Sequence, residues 1–398
     1  MPSVSILTAT YNRSSFLNEA ILSALSQDFT DFELIIIDDG STDDTRDIVR
    51  SFSDQRIRYF HQSNRGQTTA LNAGLSSATG EFLTFLDSDD LFLPHKLSAQ
   101  VRELEQDPEI GLTAGGWIRI DELGRALSTV TPLNSHDLDL QNWLLGCPII
   151  TCSVLLRTEW ARIAGGFDSS FAAYNDWDLW LRMVTAGCTM RWGTEIVCKQ
   201  RFHPGNTYYP AYPVSPAIEK YFATSPSVPM EIRARENWYL ARAHLVKAVQ
   251  VIAKSQMEDG QSLFGKAFEL YPNWLGSEAP EALQIVTGTI KAQITADLVI
   301  GRPSREVWPL ANDVLCRLPE ALTNDPRRNR EFKVLLARGL LYDALESDDQ
   351  QSVRREVLRI LQLDPTWLRT KGALSMCVQA VVHPRRVKAL RRQLSRFA

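Results

Sequence analysis

Twice in the first ninety residues an almost unbroken apolar run stops on clustered aspartates. Phe32–Ile37 ends in Asp38-Asp39-Gly40-Ser41, and Phe82–Leu86 ends in Asp87-Ser88-Asp89-Asp90. A strand that is apolar on both faces must be covered on both faces, the condition of a parallel sheet between two layers of helices. Two further runs, Val4–Thr8 and Ile57–Phe60, also read as strands. Helix signals lie between the strands. Ser14 or Ser15 can cap a helix carrying Phe16, Leu17, Ala20, Ile21, Ala24 and Leu25 on one face. Ser41-x-x-Asp44 offers a capping box for the next helix, and Asn64-Arg65-Gly66 turns into a helix bearing Ala70, Leu71, Ala73, Gly74 and Leu75. The alternation predicts an α/β, Rossmann-like, mostly parallel sheet with helices on both faces. Such sheets take ligands beyond the carboxyl ends of their strands. Both acidic clusters fall on that rim.

The rest of the chain reads differently. Residues 139–206 are mixed: Ile149–Leu156 is strand-like, a helix opens at Asn175-Asp176, and Glu195–Phe202 is extended. Residues 207–229 are rich in Pro, Tyr and Ser and read as a linker. From about residue 231 strand signals vanish. Tyr239–Ala248 is echoed by Leu335–Ala344, and Lys266–Leu275 by Arg359–Leu368, a weak likeness to tetratricopeptide repeats. The expected division is 1–208 catalytic, 209–230 linker, and 231–398 an all-α, repeat-like helical domain, and the length of 398 residues accords with more than one domain. The last segment, His383–Ala398, is basic, with Val387, Leu390, Leu394 and Phe397 on one helical face. It is a candidate for peripheral contact with anionic lipid, the alternative being a solvated last helix packed on its neighbour.

Composition bounds the functional classes. A net charge of −4 gives no general attraction to nucleic acid. The longest uncharged apolar-leaning stretch, Trp143–Leu156, holds 14 residues including a Pro, short of the roughly 18 a membrane span needs. The N-terminus has no basic stretch ahead of its apolar run, so it reads as a first strand and not as an export signal. The six cysteines, Cys147, Cys152, Cys188, Cys198, Cys316 and Cys377, form no C-x-x-C pair and read as reduced, mostly buried thiols. The expected location is cytoplasmic. The 10 tryptophans suit either a core or a sugar-stacking surface.

Chemistry would sit on the rim. Asp87 and Asp89 lie two apart in extended chain and project to one side; a hard divalent cation between them would relieve their repulsion and bind phosphate oxygens. The alternative is an acidic loop capping a helix over Pro94–Glu105. Asp38-Asp39 can accept from a ribose hydroxyl or a base N–H, or can simply make a turn. Asn175-Asp176-Trp177-Asp178 has the form of a capped helix start, where the dipole would hold Asp176 ionised at a low pKa; Asp176 is equally a candidate general base. His203 is a third metal ligand or a loop histidine.

Five segments occur in order: Val4–Arg13, Phe32–Asp43, Asn64–Gln67 with Leu71–Leu75, Gly80–Asp90, and Asn175–Arg182. Together they resemble the family-2 glycosyltransferases of the GT-A fold over residues 3–206, leaving the helical half uncovered. The resemblance implies inverting transfer of a sugar from a nucleotide-diphospho-sugar to a hydroxyl on a glycan, a lipid-linked compound or another acceptor, with Mn²⁺ or Mg²⁺. It further implies that Tyr11 and Asp39 contact the base and that Thr10, Arg13 and Gly66 line the nucleotide pocket. Asp87, Ser88 and Asp89 match the family's D-x-D motif; Asp87 and Asp89 would hold the metal with His203, and Asp176 would be the catalytic base. Three positions depart from the family: Ala9 for a usual Pro, Leu71 for a frequent Arg, and Asn175 for the usual Glu. An alternative is a scaffold or sugar-binding adaptor with a weakened catalytic half, its helical domain meeting a protein partner. A nucleotidyltransferase would need a Gly-rich basic loop that Ala9–Ser14 does not supply.

Overall fold

The computed structural model describes residues 2–132, 138–171, 175–203, 215–225, 228–253, 255–275, 277–299, 310, 313–314 and 317–319. The chain divides into two compact units, Met1–Tyr239 and Leu240–Ala398.

The first unit opens as the apolar runs require. Strands β1 (Val4–Thr10), β2 (Phe32–Asp38), β3 (Ile57–His61) and β4 (Phe82–Phe85) alternate with helices α1 (Ser14–Leu25), α2 (Thr45–Arg50) and α3 (Gln67–Ser77). The pairs β1·β2, β1·β4 and β2·β3 are all parallel. Every residue of β2 is buried, as a strand covered on both faces must be. There follow β5 (Leu91–Phe92), α4 (Lys96–Gln106), β6 (Ile110–Ile120), β7 (Ala126–Val130), α5 (Leu140–Leu145), β8 (Val154–Arg157), α6 (Thr158–Ile163), α7 (Asn175–Thr185) and β9 (Thr189–Arg201). One sheet takes all these strands in the order β3-β2-β1-β4-β8-β6-β9-β5, with β7 on β6.

Beyond β4 the sheet is mixed. Strand β8 is antiparallel to β4 and β6, β9 runs parallel to β6, and β5 is antiparallel to β9. The parallel expectation therefore describes the first four strands, and the second half departs from it. Strand β6 gave no signal of its own. Its glycines explain both that silence and its close packing: a Cβ at Gly115 would lie 2.6 Å from the Val197 side chain, and one at Gly116 2.5 Å from the Val130 carbonyl. Two of the three register shifts between β6 and β9 fall at these residues.

The core joins Ile6, Leu17, Ile21, Leu34 and Ile36 to Leu97, Leu104, Trp117 and Leu155. Trp143, Trp177 and Trp180 are fully buried; Trp177 Nε1 donates to the Trp143 carbonyl at 2.9 Å and Trp143 Nε1 to that of Leu138 at 2.9 Å. These tryptophans build the core and present no sugar-stacking face. Cys152, Cys188 and Cys198 are buried, free thiols, and Cys147 is a half-buried one; Cys316 and Cys377 lie outside the described residues.

Inside the segment read as a linker, α8 (Ser215–Thr224) buries Ala217, Ile218, Tyr221 and Phe222. Its Lys220 pairs with Asp168 and, at 3.3 Å, with Asp178, which fastens α8 to α7. Helices α9 (Met230–Arg233) and α10 (Glu236–Ala253) follow. In the second unit the described elements after α10 are helical: α11 (Met257–Leu270), a 3-10 turn at Pro272–Leu275, and α12 (Ala279–Val299). Buried Trp274 donates Nε1 to Glu281 at 2.8 Å. The first copies of the repeated segments fall in α10 and at the end of α11; the second copies and the basic segment 383–398 lie outside the described residues. Among the described residues no helix is long and apolar enough to cross a membrane.

Candidate active site

The strand order reverses direction at β1, whose neighbours are β2 on one side and β4 on the other. An open sheet leaves a crevice at such a point, outside the carboxyl ends of the strands. Thr10, Asp39 and Asp87 stand there. The Asp39 amide donates to the Thr10 carbonyl at 2.9 Å and the Leu86 amide to that of Leu7 at 2.9 Å, which carries the pairing to the rim. Thr10 Oγ1 is buried with no hydrogen-bond partner among the described residues. Tyr11 is exposed, and Asn12 has φ 50°, so the chain turns sharply before α1. Arg13, partly buried, is the residue before the helix.

The two aspartates that end β2 have different work. Asp38 accepts from the Ser41 amide at 2.8 Å and from the Tyr59 hydroxyl at 2.6 Å, so it is tied into the turn. Burial, then the Asp38 carboxylate, push the Tyr59 phenol up to about 12. Asp39 accepts from Gln62 Nε2 at 2.7 Å, from the Arg65 amide at 3.0 Å and from the Gly66 amide at 2.7 Å. It therefore pins the loop that opens α3, where Gly66 adopts φ 90°, a conformation that favours glycine.

The Asp87–Asp90 loop holds more negative charge than its surroundings offset. Burial is the largest influence on Asp87, and the charges of Asp89 and Asp176 add to it; together they push its carboxyl up to about 7. Asp90 is raised well above the ordinary value, again mainly by burial, although the Arg201 amide donates to it at 2.8 Å. Asp89 Oδ2 lies 2.9 Å from His203 Nε2, and the imidazole stacks on Phe16 at 4.8 Å. Ser88 is buried between them in sequence. The fully buried Arg201 donates Nε to the Asp89 carbonyl at 3.0 Å, Nη1 to that of Glu122 at 2.9 Å and Nη2 to Glu19 at 2.7 Å. The structure thus pairs Asp89 with His203 and sets Asp87 within their field. Among the described residues, however, no three His, Cys, Asp or Glu side chains are disposed as a ligand set.

Asp176 opens α7 on the other side of the crevice, near enough to Asp87 to act on its pKa. Its Oδ2 accepts from Thr151 Oγ1 at 3.0 Å and its Oδ1 from the Trp177 amide at 2.8 Å. The helix-dipole argument predicts a low pKa. Burial outweighs those two hydrogen bonds, and the carboxyl is raised. Asn175 Nδ2 donates to Thr68 Oγ1 at 2.9 Å. Leu71 is buried. Sequence reasoning missed Thr151, Thr68 and Arg201. The only local signal was Arg201's place two residues before His203.

Residues 5–158 match the family model described as glycosyl transferase family 2. An uncharacterized glycosyltransferase of Rickettsia felis is 34% identical over 210 residues, covering 51% of this chain and 34% of that protein. One of Rickettsia typhi is 33% identical over 211 residues, covering 52% of this chain and 66% of that protein. A GalNAc(5)-diNAcBac-PP-undecaprenol beta-1,3-glucosyltransferase of Campylobacter jejuni is 42% identical over 110 residues, 27% of this chain and 36% of that one. The matches therefore span from about a third to about two thirds of these relatives' lengths. Among solved structures, TarS of S. aureus superposes with a TM-score of 0.50 at 15% identity, covering 75% of this chain and 54% of that one, a likeness of fold. The family match begins inside β1 and ends just after β8, so it takes in both strand ends that carry the acidic clusters; residues 5–158 are a family-2 glycosyltransferase domain, with a GT-A fold.

Proposed function

We propose that the chain is an inverting glycosyltransferase that moves a sugar from a nucleotide-diphospho-sugar to an acceptor hydroxyl with a divalent cation, Mn²⁺ or Mg²⁺. The observation that carries this reading is electrostatic. Asp87 and Asp176, far apart in sequence, approach closely enough for one carboxylate to disfavour the other's ionisation. The leaving-group side and the base side of a displacement are thereby brought into one crevice.

The donor chemistry suits a hard cation, although no ligand set is preformed among the described residues: the half-buried carboxylates of Asp87 and Asp89 oppose each other's charge, and His203 stands beside Asp89. Asp87 and Asp89 would hold the ion with His203, and when bound it would neutralise the charge of the departing nucleoside diphosphate. Asp176 takes the proton of the acceptor hydroxyl. Burial has raised its pKa, which makes it a stronger base than an exposed aspartate, and the Thr151 and Trp177 bonds fix its direction. As the acceptor oxygen bonds to the anomeric carbon, the bond from that carbon to the phosphate oxygen breaks on the opposite face. The loop that Asp39 pins at Arg65–Gly66, with Tyr11, Thr10, Arg13 and Ser88, shapes the nucleotide pocket.

The substrate in the name of the C. jejuni relative, a glycan on undecaprenol diphosphate, supports a glycan or lipid-linked acceptor. With it we propose cell-surface polysaccharide assembly on the cytoplasmic side, peripheral contact through the segment 383–398 and a protein partner for the helical unit. The adaptor alternative rests on Leu71, which is buried, and on Asn175, which bonds to Thr68. The direct test is release of nucleoside diphosphate from a panel of UDP- and GDP-sugars with Mn²⁺ or with EDTA. Asp176→Asn is expected to abolish transfer and to leave nucleotide affinity nearly intact; wild-type turnover in that variant refutes the assignment of the base.

A further inference from the structure

Hydrogen bonds at both ends of the first turn of α3 link the Asp39 side of the crevice to Asn175, the residue next to Asp176. Asp39 accepts from the Gly66 amide at 2.7 Å. Inside the first turn of α3, Thr68 Oγ1 accepts from Asn175 Nδ2 at 2.9 Å and donates to the Phe171 carbonyl at 3.2 Å. One turn on, Asn72 holds both backbone groups of Phe167, its Nδ2 donating to the carbonyl at 2.7 Å and its Oδ1 accepting from the amide at 2.8 Å. Helix α3 thus grips the chain at Phe167 and Phe171, ahead of α7, and at Asn175, the first residue of α7. Thr68 and Asn175 are both buried, so no water competes for their bond. Asn175 adjoins Asp176, and its residue type matters: an amide donates to the threonine oxygen, which an ionised carboxylate in that place could not do.

We propose that Thr68 and Asn175 form a positioning pair that couples the Gly66 loop to Asp176, so that ordering of the loop by nucleotide orders the base. The inference rests on the reading of Asp176 as that base. A pair that merely satisfies the core would affect stability and leave the chemical step alone. A coupling pair acts on the orientation of Asp176, and a misplacement of about 1 Å is worth up to about a hundredfold in rate.

The test uses the full chain with Thr68→Val, Asn175→Ala, the double variant and Thr68→Ser. Turnover is followed as nucleoside diphosphate released from UDP-glucose, UDP-N-acetylglucosamine and GDP-mannose with Mn²⁺. Hydrogen exchange is measured on peptides covering residues 175–181, with and without UDP or GDP plus Mn²⁺, and thermal melts report folding. Each single variant is expected to lose about ten- to hundredfold in kcat while the donor KM stays within about threefold. The double variant should fall no further than the worse single one, and Thr68→Ser should recover turnover to within about threefold. Nucleotide should slow exchange over 175–181 in wild type and in Thr68→Ser but not in Thr68→Val or Asn175→Ala. Folded Thr68→Val and Asn175→Ala variants that keep wild-type kcat, or that keep the nucleotide-induced slowing, overturn the proposal. Asp176→Asn run alongside separates the two readings. If it is inactive while Thr68→Val is fully active, the pairing fails alone; if it retains turnover, the base assignment fails. Should no donor turn over, the exchange measurement decides.

Discussion

Replacing Asp87 by Asn should make the metal-free protein more stable at alkaline pH, because the wild-type residue carries a charge that its surroundings oppose. Burial, Asp89 and Asp176 raise its carboxyl from an ordinary 3.8 to about 7. Between those values the folded state keeps a proton that the unfolded state has released, so stability falls as pH rises through the window and is level above it. At about 1.4 kcal/mol per tenfold change in proton affinity, the ceiling on the loss is about 4 kcal/mol. For a unit of this size that corresponds to roughly 10 °C in melting temperature. The amide of Asn keeps the shape and removes the charge. Thermal melts of wild type and Asp87→Asn in EDTA should therefore agree near pH 4 and diverge as pH rises, the variant melting higher at pH 8. Adding Mn²⁺ should narrow the gap by raising the wild type, more at pH 8 than at pH 5.5, since binding has to displace the proton. A variant that melts at or below wild type at pH 8 without metal refutes the reasoning.

Three other perturbations test separate parts of the structure. Since burial raises Asp176, transfer measured at saturating donor should climb with pH through an inflection above the ordinary aspartate value of 3.8, then level off once the base is ionised. Asp39→Asn leaves the Gly66 and Arg65 amides with a weaker acceptor, and calorimetric titration with UDP or GDP plus Mn²⁺ should show affinity lowered by about tenfold or more. Gly80→Ala would set a methyl 2.6 Å from the Ser5 amide nitrogen and 2.8 Å from the Val4 carbonyl carbon; urea unfolding should report a loss of about 1–3 kcal/mol.

The parallel half of the fold is legible in the sequence because its information is local. Seven consecutive buried residues in β2 cannot be mistaken for an amphipathic element, and the acids that stop the run locate the rim. The second half is legible only in part: the start of α7 and the extended stretch of β9 can be read, but strand β6 and the pairing cannot, because their cues are relational. Strand β6 is defined by the partners its glycines admit, which no periodicity reveals. Helix starts show the same division. Ser41 spends its hydroxyl on the Asn12 amide at 3.0 Å instead of capping α2, whose first residue, Thr45, bonds to Asp43. Asp43 also accepts from the Ser14 amide at 3.0 Å, so α1 is capped from a distant loop. At the site, the positions of Asp39, Asp87 and Asp89 could be read from the strand ends. That Asp39 grips a loop, that Thr151 steadies Asp176, and that burial defeats the helix dipole there are consequences of packing.

The two ends of the same sheet show what marks the active rim physically. Near the amino ends of β1 and β2 lies another buried carboxylate, Glu33, which accepts from Ser5 Oγ at 2.6 Å, from the Thr79 amide at 2.8 Å and from Arg58. Burial alone would raise it, yet those donors outweigh burial and the pKa is lowered. At Asp87, at the carboxyl end of β4, burial again raises the carboxyl, and there its carboxylate neighbours reinforce the penalty. A fold able to satisfy a buried acid at one end leaves another opposed at the other. Burial opposes both carboxylates; the donors around Glu33 reverse its effect, and the acids around Asp87 add to it. Stability is better served by the Glu33 arrangement, so the Asp87 arrangement is a cost that folding alone does not explain, and such costs concentrate where a ligand is to supply the missing charge.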